Sequence, residues 1–403
     1  MVQIMLKWFR DTYRDVVTSI AFLPAIISLL FLGLSFLMVN FDFSETGKQI
    51  KSNLHWLSLK DASTARSICS SIAGGILSLA VFSFSMVMIL LSQAAAQMSN
   101  RILGQLISNR FQQVVLGFYI GTIVYALFLL STIRDNNTGI YVPAISTYLL
   151  IALTVVDIFL FIYFLHYITQ SVKFETIIHR IHDATKDSLK KACKMEIRPA
   201  ENPMPENGKI INAGKSGLYH GFSPDNLLDL SQNENAMIFV LLPVGSYVME
   251  DTPLLAVTCN KRLSPDFEKN LSLAINIGRG QEVSTSFYYG FRQLMEIGVK
   301  ALSPGINDPG TAILSLQAIG DLLAYRLTHF PLAIFDDKEG ERRIITKERT
   351  FEEMFEEYLL PIWDYGKEDR LLQHEMLHIL TLLNGQQHEP IIKKLLQEVE
   401  AAR

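Results

Sequence analysis

The sequence predicts an all-α membrane region of four transmembrane helices followed by an α+β cytosolic domain with a small part rich in β-hairpins. Three observations carry this. Four long apolar runs fall within the first 172 residues. Charged residues make up only 19% of the chain, against roughly 25% in an ordinary soluble protein. Beyond residue 199 the pattern turns to short strands and amphipathic helices. The expected division is a membrane domain at 1–172, a stalk helix at 173–198 and a cytosolic domain at 199–403.

With 49% hydrophobic residues the chain is neither disordered nor collagen-like. Cys69, Cys193 and Cys259 lie far apart without metal-ligand spacing, which suits a reducing compartment and excludes a disulfide scaffold. Residues 1–172 carry 10 Lys and Arg against 7 Asp and Glu, leaving +3; residues 173–403 carry 26 against 33, leaving −7. An acidic soluble half lacks the basic footprint that phosphate backbones require, so nucleic acid is excluded as a partner and the lipid bilayer is the expected one. No cofactor is indicated.

A lipid-facing helix satisfies its backbone internally and needs ~20 apolar residues to cross. The first run is Val16–Phe41, with Pro24 in its early turns, after the cationic Lys7, Arg10 and Arg14. It is too long for a signal peptide and no small-residue cleavage site follows, so it reads as an anchor. The second, Ser67–Asn100, is 34 residues without a charge, about 51 Å as a helix, so it tilts or projects past the ~30 Å hydrocarbon. Phe111–Ile133 and Tyr141–Val172 complete the set.

Small residues recur four apart at Ser71 and Gly75, Gly74 and Ser78, and Gly117 and Gly121. This spacing lets membrane helices approach closely, within one subunit or across a homo-oligomer. With both ends inside, twelve Lys and Arg near the membrane fall on the cytosolic side and five on the other, so both termini are expected in the cytosol, at a bacterial inner membrane.

The fourth span meets no helix breaker before a stalk that reaches about Met195; Phe174, Ile177, Ile178, Ile181, Ala184, Leu189 and Ala192 recur on it at helical spacing. The stalk either self-associates or lies on the soluble domain. Its His179 and His182 lack a third ligand nearby and read as solvated. Arg198–Ser216 is rich in Pro, Asn, Gly and Lys and reads as a linker or loop.

Ser223-Pro224 opens a short helix through Leu230; strands are expected at Ala236–Leu242, Tyr247–Met249 and Leu254–Thr258. Residues 244–254 resemble the hairpin turn of biotinyl- and lipoyl-type domains. No lysine stands at the tip, so the likeness implies a β scaffold and no swinging arm. Ser264-Pro265 starts a helix ended by Gly278, and another covers about Glu282–Lys300 with Arg292, Glu296 and Lys300 spaced for i,i+4 pairs. Further helices run from Pro309 to about Tyr325 and, two or three of them, between Phe351 and Ala402.

Three places could carry chemistry. Asp157 is the one acid inside a span, with no Lys or Arg in the other spans to pair it; it marks an ion path, or makes a structural hydrogen bond. In Ala301–Ala312, Pro304-Gly305 forces a turn and Asp308 before Pro309 is an N-cap signature. The functional alternative makes Lys300, Ser303, Asn307, Asp308 and Thr311 contacts for an anion or small ligand at a helix start. His374 and His378 flank Glu375 in the zinc-protease pattern, yet they fall on the helix face opposite Leu372, Met376, Ile379 and Leu383 and read as wet, so metal binding is the weaker reading.

The string Ala-Leu-Ser-Pro-Gly-Ile-Asn-Asp-Pro at 301–309, with Thr311-Ala312 and the preceding Phe291-Arg292-Gln293-Leu294, resembles the signature of a bacterial family described only as a predicted membrane protein domain of unknown function. Phe82-Ser83-Phe84-Ser85, the stretch from Gln97 to Leu103, Arg110, Leu116-Gly117-Phe118 and Tyr125 resemble its second and third spans. Asn100 and Asn109 depart from it, standing where the family often has Pro and Asp. The resemblance implies this architecture and an inner-membrane address, and brings no activity. The residues themselves lead to a homo-oligomeric membrane protein with a cytosolic sensing or assembly domain and a channel or transport role near Asp157. The alternatives are a tethered binding scaffold and, less favoured, a zinc metalloprotease.

Overall fold

The computed structural model describes residues 19, 21–53, 59, 61–97, 110–136, 139–171, 173–197, 208–259, 264–280, 283 and 286–402. Lys7, Arg10, Arg14, Lys60, the 100–109 stretch and most of the expected linker lie outside them. The chain forms two compact units that divide between Lys173 and Phe174.

In the first unit the helices are α1 (Phe22–Phe43), α2 (Glu45–Asn53), α3 (Ala62–Gln97), α4 (Arg110–Thr132) and α5 (Ala144–Ser171), with a hairpin of β1 (Arg134–Asn136) and β2 (Gly139–Tyr141) before α5. Among the described residues, four helices are long and apolar enough to cross a membrane: α1, Ala62–Leu90 of α3, α4 and α5. Helix α1 thus begins at Phe22, with Pro24 in its first turn, where proline costs no hydrogen bond.

Lipid gives apolar helices no hydrophobic reason to associate, so close packing must hold them together. Gly117 and Gly121 on α4 do this against α1. A Cβ added at Gly117 would stand 2.6 Å from Ile27 Cδ1, and one at Gly121 would stand 2.7 Å from Phe31 Cγ. Ile27 and Phe31, themselves one turn apart, therefore seat into the flat of α4, and Phe31 meets Phe118 edge-on at 5.5 Å. Gly74 and Gly75 differ: a Cβ at either meets nothing within 4 Å, and Ser71, Gly74, Gly75 and Ser78 form an exposed face of α3.

The second unit opens with α6 (Phe174–Ala192) and β3 (Cys193–Met195). The continuous stalk is corrected here, because α5 ends at Ser171, Lys173 is not helical, and α6 starts afresh. Its apolar face, Ile177, Ile178, Ile181 and Leu189, is buried on α9 (Phe287–Ala301) and α10 (Pro309–Thr328). Burying such side chains is worth ~1.5–3 kcal/mol each, which fixes α6 within this unit without any proline or glycine breaker. The approach to α9 is close enough that a Cβ at Gly290 would collide with Thr185.

The remaining elements are β4 (Lys209–Asn212), β5 (Gly217–Phe222), α7 (Pro224–Asn233), β6 (Met237–Val240), β7 (Tyr247–Val248), β8 (Pro253–Thr258), α8 (Pro265–Ala274) and β9 (Ile275–Gly278). After α10 come β10 (Phe330–Pro331), β11 (Ile334–Asp336), β12 (Arg342–Thr346), α11 (Phe351–Tyr358), α12 (Leu360–Gly366), α13 (Arg370–Gln386) and α14 (Pro390–Ala402). A five-stranded sheet runs β11-β12-β6-β8-β4, with β12 and β6 parallel and its other pairs antiparallel; a three-stranded sheet runs β7-β5-β9; and β10 pairs with β3.

Several expectations change. β7 and β8 do not form a hairpin together, because β7 pairs with β5 while β8 lies between β6 and β4. β4 occupies part of the expected loop, and residues 330–346 hold three strands. The helix from Pro265 stops at Ala274 and passes straight into β9, since pairing with β5 holds Ile275–Gly278 extended. Leu255, Val257, Ile238, Tyr219, Phe267 and Leu271 centre the β core. On the helical side Phe291 stacks on Tyr358 at 5.4 Å, and Arg292 bonds Glu357 at 2.7 Å.

Candidate functional site

Along α5, Leu150, Asp157, Phe164 and Ser171 recur every seven residues and are buried, while Val155, Val156, Ile158 and Phe159 around the acid face outward. Asp157 thus sits near the middle of a 28-residue helix on its inward seam. Across from it α4 presents Tyr119 and Thr122, one turn apart and wholly buried, and α3 presents the buried Ser83. The Thr122 side chain stands beside the Asp157 carboxyl, and Ser83 beside the Tyr119 hydroxyl. Yet among the described residues both Asp157 carboxylate oxygens, the Thr122 hydroxyl and the Tyr119 hydroxyl are buried without a well-aligned hydrogen-bond partner. Ser83 donates to its own helix at Leu79 O, 2.8 Å away.

Orphaned buried polar atoms are rare and call for a specific cause. An acid in hydrocarbon depth costs at least a few kcal/mol and marks a functional position by default. A buried carboxylate with buried hydroxyls beside it can exchange a proton or hold a small cation.

The 301–312 segment closes on itself. Asp308 caps α10, accepting from Thr311 N at 3.1 Å and from the Thr311 hydroxyl at 2.6 Å. Asp308 N donates to Ala301 O at 2.8 Å, Asn307 N to Ser303 O at 2.9 Å, and the Ser303 hydroxyl to Lys300 O at 2.6 Å. Asn307 takes a left-handed φ of 50° that suits its residue type, and its side chain is exposed. The structure therefore brings Ser303, Asn307, Asp308 and Thr311 together as a turn and cap, with Lys300 at the end of α9.

His374 and His378 project outward from α13, and Leu372, Met376, Ile379 and Leu383 are buried on its other side. Gln317 donates to Glu375 at 2.9 Å, and among the described residues no three His, Cys, Asp or Glu side chains group as metal ligands. His182 instead meets Asp321 on α10 at 2.7 Å, as does Lys186 at 2.7 Å. Burial by itself would raise the Asp321 carboxyl, but these two hydrogen bonds outweigh it and hold the carboxyl below its usual range.

Sequence reasoning missed two further polar centres. Asp42 at the end of α1 is wholly buried and caps α5 from a distance. In the second unit Glu348 accepts from the Thr346 hydroxyl at 3.1 Å and the Tyr288 hydroxyl at 3.4 Å. Burial lifts its carboxyl above the usual range against those bonds and the charge of Arg326. Arg326 in turn donates to His329 O and Arg349 O, and Arg349 pairs with Glu357. Nothing in a single sequence pairs residues so far apart.

A helical unit with four membrane-length apolar helices and a buried acid on the fourth, joined to a mixed helix and strand unit, defines a multi-pass membrane protein with a large C-terminal domain. The chain belongs to the predicted membrane protein family DUF2254, which matches residues 17–381. It is 27% identical over 312 residues to uncharacterized proteins of Mycobacterium tuberculosis and Mycobacterium bovis, an alignment that takes in 74% of this chain and 59% of each relative. The chain thus spans about three-fifths of the length of these bacterial relatives. No solved structure matches it.

Proposed function

We propose that this is an inner-membrane protein that conducts or transports an ion past Asp157, working as a homo-oligomer with both termini and the C-terminal domain in the cytosol. The carrying observation is the Asp157 carboxylate, buried in the middle of α5 beside Thr122 with no well-aligned hydrogen-bond partner among the described residues. A group kept there at such cost is accounted for by a charge that visits it. The exposed face of Ser71, Gly74, Gly75 and Ser78 supports a second copy as neighbour, since small residues favour close helix approach and no described residue covers the face. The Lys and Arg bias supports the orientation. The cytosolic domain then serves as a sensing or assembly module.

The test is ion flux in liposomes reconstituted with the full-length protein, beside its particle mass in detergent. Flux that falls at least tenfold in Asp157→Ala, from an oligomeric particle, supports the reading. A strictly monomeric particle whose flux is unchanged by Asp157→Ala overturns it.

A further inference from the structure

We infer that α3 pairs with α3 of a second copy of this chain, in parallel and in register, through a hydroxylated heptad seam that runs most of the helix. This deepens the oligomer half of the reading above and names the surface.

The seam lies on one face. Thr64, Ser71, Ser78, Ser85 and Ser92 recur every seven residues along α3, and all are exposed. Three residues after the first four of them stand Ser67, Gly74, Val81 and Met88, exposed as well. These two series take the a and d places of a heptad, through which supercoiled helices meet. Thr64 to Ser92 covers about 42 Å of helix, enough to cross the ~30 Å hydrocarbon layer. The other side of α3 is already occupied, since Ala62, Cys69, Ile76 and Ser83, also seven apart, are buried within the chain. A straight α-helix drifts by about 20° per heptad, so a strict seven-residue repeat of hydroxyls holds one face only against a supercoiled neighbour.

Composition says what that neighbour is. Exposed positions on α1 and α5 are bulky and apolar, as lipid chains require: Leu29, Leu30 and Leu37 on α1, and Ile158, Phe159 and Ile162 on α5. The middle of the α3 face is Ser and Gly instead, with Leu77, Phe82, Phe84 and Ile89 on its flanks. A Cβ at Gly74 or Gly75 meets nothing within 4 Å, so no described residue fills the groove between those flanks. The Ser78 hydroxyl donates to Gly74 O and the Ser85 hydroxyl to Val81 O, each at 2.9 Å. Each proton is thus satisfied inside the helix, and the face needs no water. A low, dry ridge of this kind admits another helix backbone at close range. A second copy enters the membrane in the same orientation, so its α3 runs parallel. A two-fold axis along the membrane normal then sets each serine opposite its own counterpart, which makes the seam complementary to itself.

The experiment places added cysteines in the full-length protein in bacterial membranes and oxidises them with copper phenanthroline. The parent, whose Cys69 and Cys193 are buried, gives the baseline. Ser71→Cys, Ser78→Cys and Ser85→Cys should give disulfide-linked dimers at least tenfold above the parent and above Val155→Cys on the exposed face of α5. Ser78→Leu should lower the particle mass in detergent to that of one chain, and Ser78→Ala should not. These positions are exposed in the single chain, so the variants fold without repacking it. An oligomeric particle whose seam cysteines cross-link no better than Val155→Cys overturns the seam and leaves the oligomer; a strictly monomeric particle overturns both. Seam cysteines that react with a membrane-impermeant thiol reagent and fail to cross-link place water on this face and also overturn the seam. Cross-links at all three positions without flux that depends on Asp157 uphold the seam and remove the conduction reading.

Discussion

The carboxylate of Asp42, at the end of α1, accepts a hydrogen bond from the backbone N–H of Ser146 at 2.7 Å, and so caps α5 from a position 104 residues earlier. The same group accepts from Ile145 N at 3.1 Å and from the Ser146 hydroxyl, and Lys51 sits 3.2 Å away. A helix starts with backbone donors that have no partner, and a membrane helix has little water to supply one. Asp42→Ala leaves those donors unpaired, a cost of about 1–3 kcal/mol, while Lys51 keeps its bond to the Asp42 backbone carbonyl at 2.7 Å. Asp42→Asn, which still accepts, should cost less. Denaturant unfolding in detergent checks the order, and an alanine variant as stable as the parent would refute the role.

The two glycine pairs should respond in opposite ways. Gly121→Ala forces a methyl against Phe31, and overpacking of this kind costs about 1–3 kcal/mol. Gly74→Ala meets no atom within 4 Å and replaces a poor helix former by the best, a gain of up to about 1 kcal/mol for the single chain. Gly74→Leu should leave the protomer folded and reduce cross-linked oligomers, provided α3 faces a second copy. Gly121→Ala as stable as the parent would show that α1 and α4 do not pack as tightly as described.

Glu348 sets a pH dependence of stability. Burial, the largest influence, raises its folded-state value above that of the unfolded chain. The stabilisation it gives is therefore complete below the ordinary carboxylate range and is lost as pH rises through the folded value. Glu348→Gln keeps an acceptor for Tyr288 and Thr346 without the charge. It should be more stable than the parent at pH 8, with the difference closing toward pH 4. Unfolding midpoints at the two pH values decide it, and a difference that widens on acidification would contradict the burial argument.

The spans were legible because lipid permits little besides a long apolar helix, and the Asp308 cap was legible because Asp-Pro is local chemistry. Asp157 stood out as the one acid inside the apolar runs read from the sequence. Its neighbours Tyr119 and Thr122 did not, because hydroxyls are common in membrane helices and only packing shows which ones face the acid. The β elements were read least well. Ile275–Gly278 follows a helix without any breaker, and β5 alone makes it a strand; residues 330–346 owe their strands to partners on β3 and β6. Which of its two readings the stalk helix follows was not legible, for a related reason. Its apolar stripe was evident, but the surface that covers it, on α9 and α10, lies more than a hundred residues downstream.

Asp321 should show the opposite sign to Glu348. The hydrogen bonds from Lys186 and His182 hold its folded-state value below that of the unfolded chain, despite burial acting the other way. Its contribution is then present above the ordinary carboxylate value and is lost as pH falls through the lowered one. The carboxylate is about half exposed, with 49% of its side-chain surface open, so screening limits the pair to the ~0.2–1 kcal/mol typical of exposed ion pairs. Asp321→Asn should cost about that much at pH 7, less in high salt, and nothing once the pH is below the lowered value. A double-mutant cycle with Lys186→Met isolates the coupling. Coupling that is unchanged between pH 7 and pH 3 would mean that Asp321 joins α6 to α10 by packing alone.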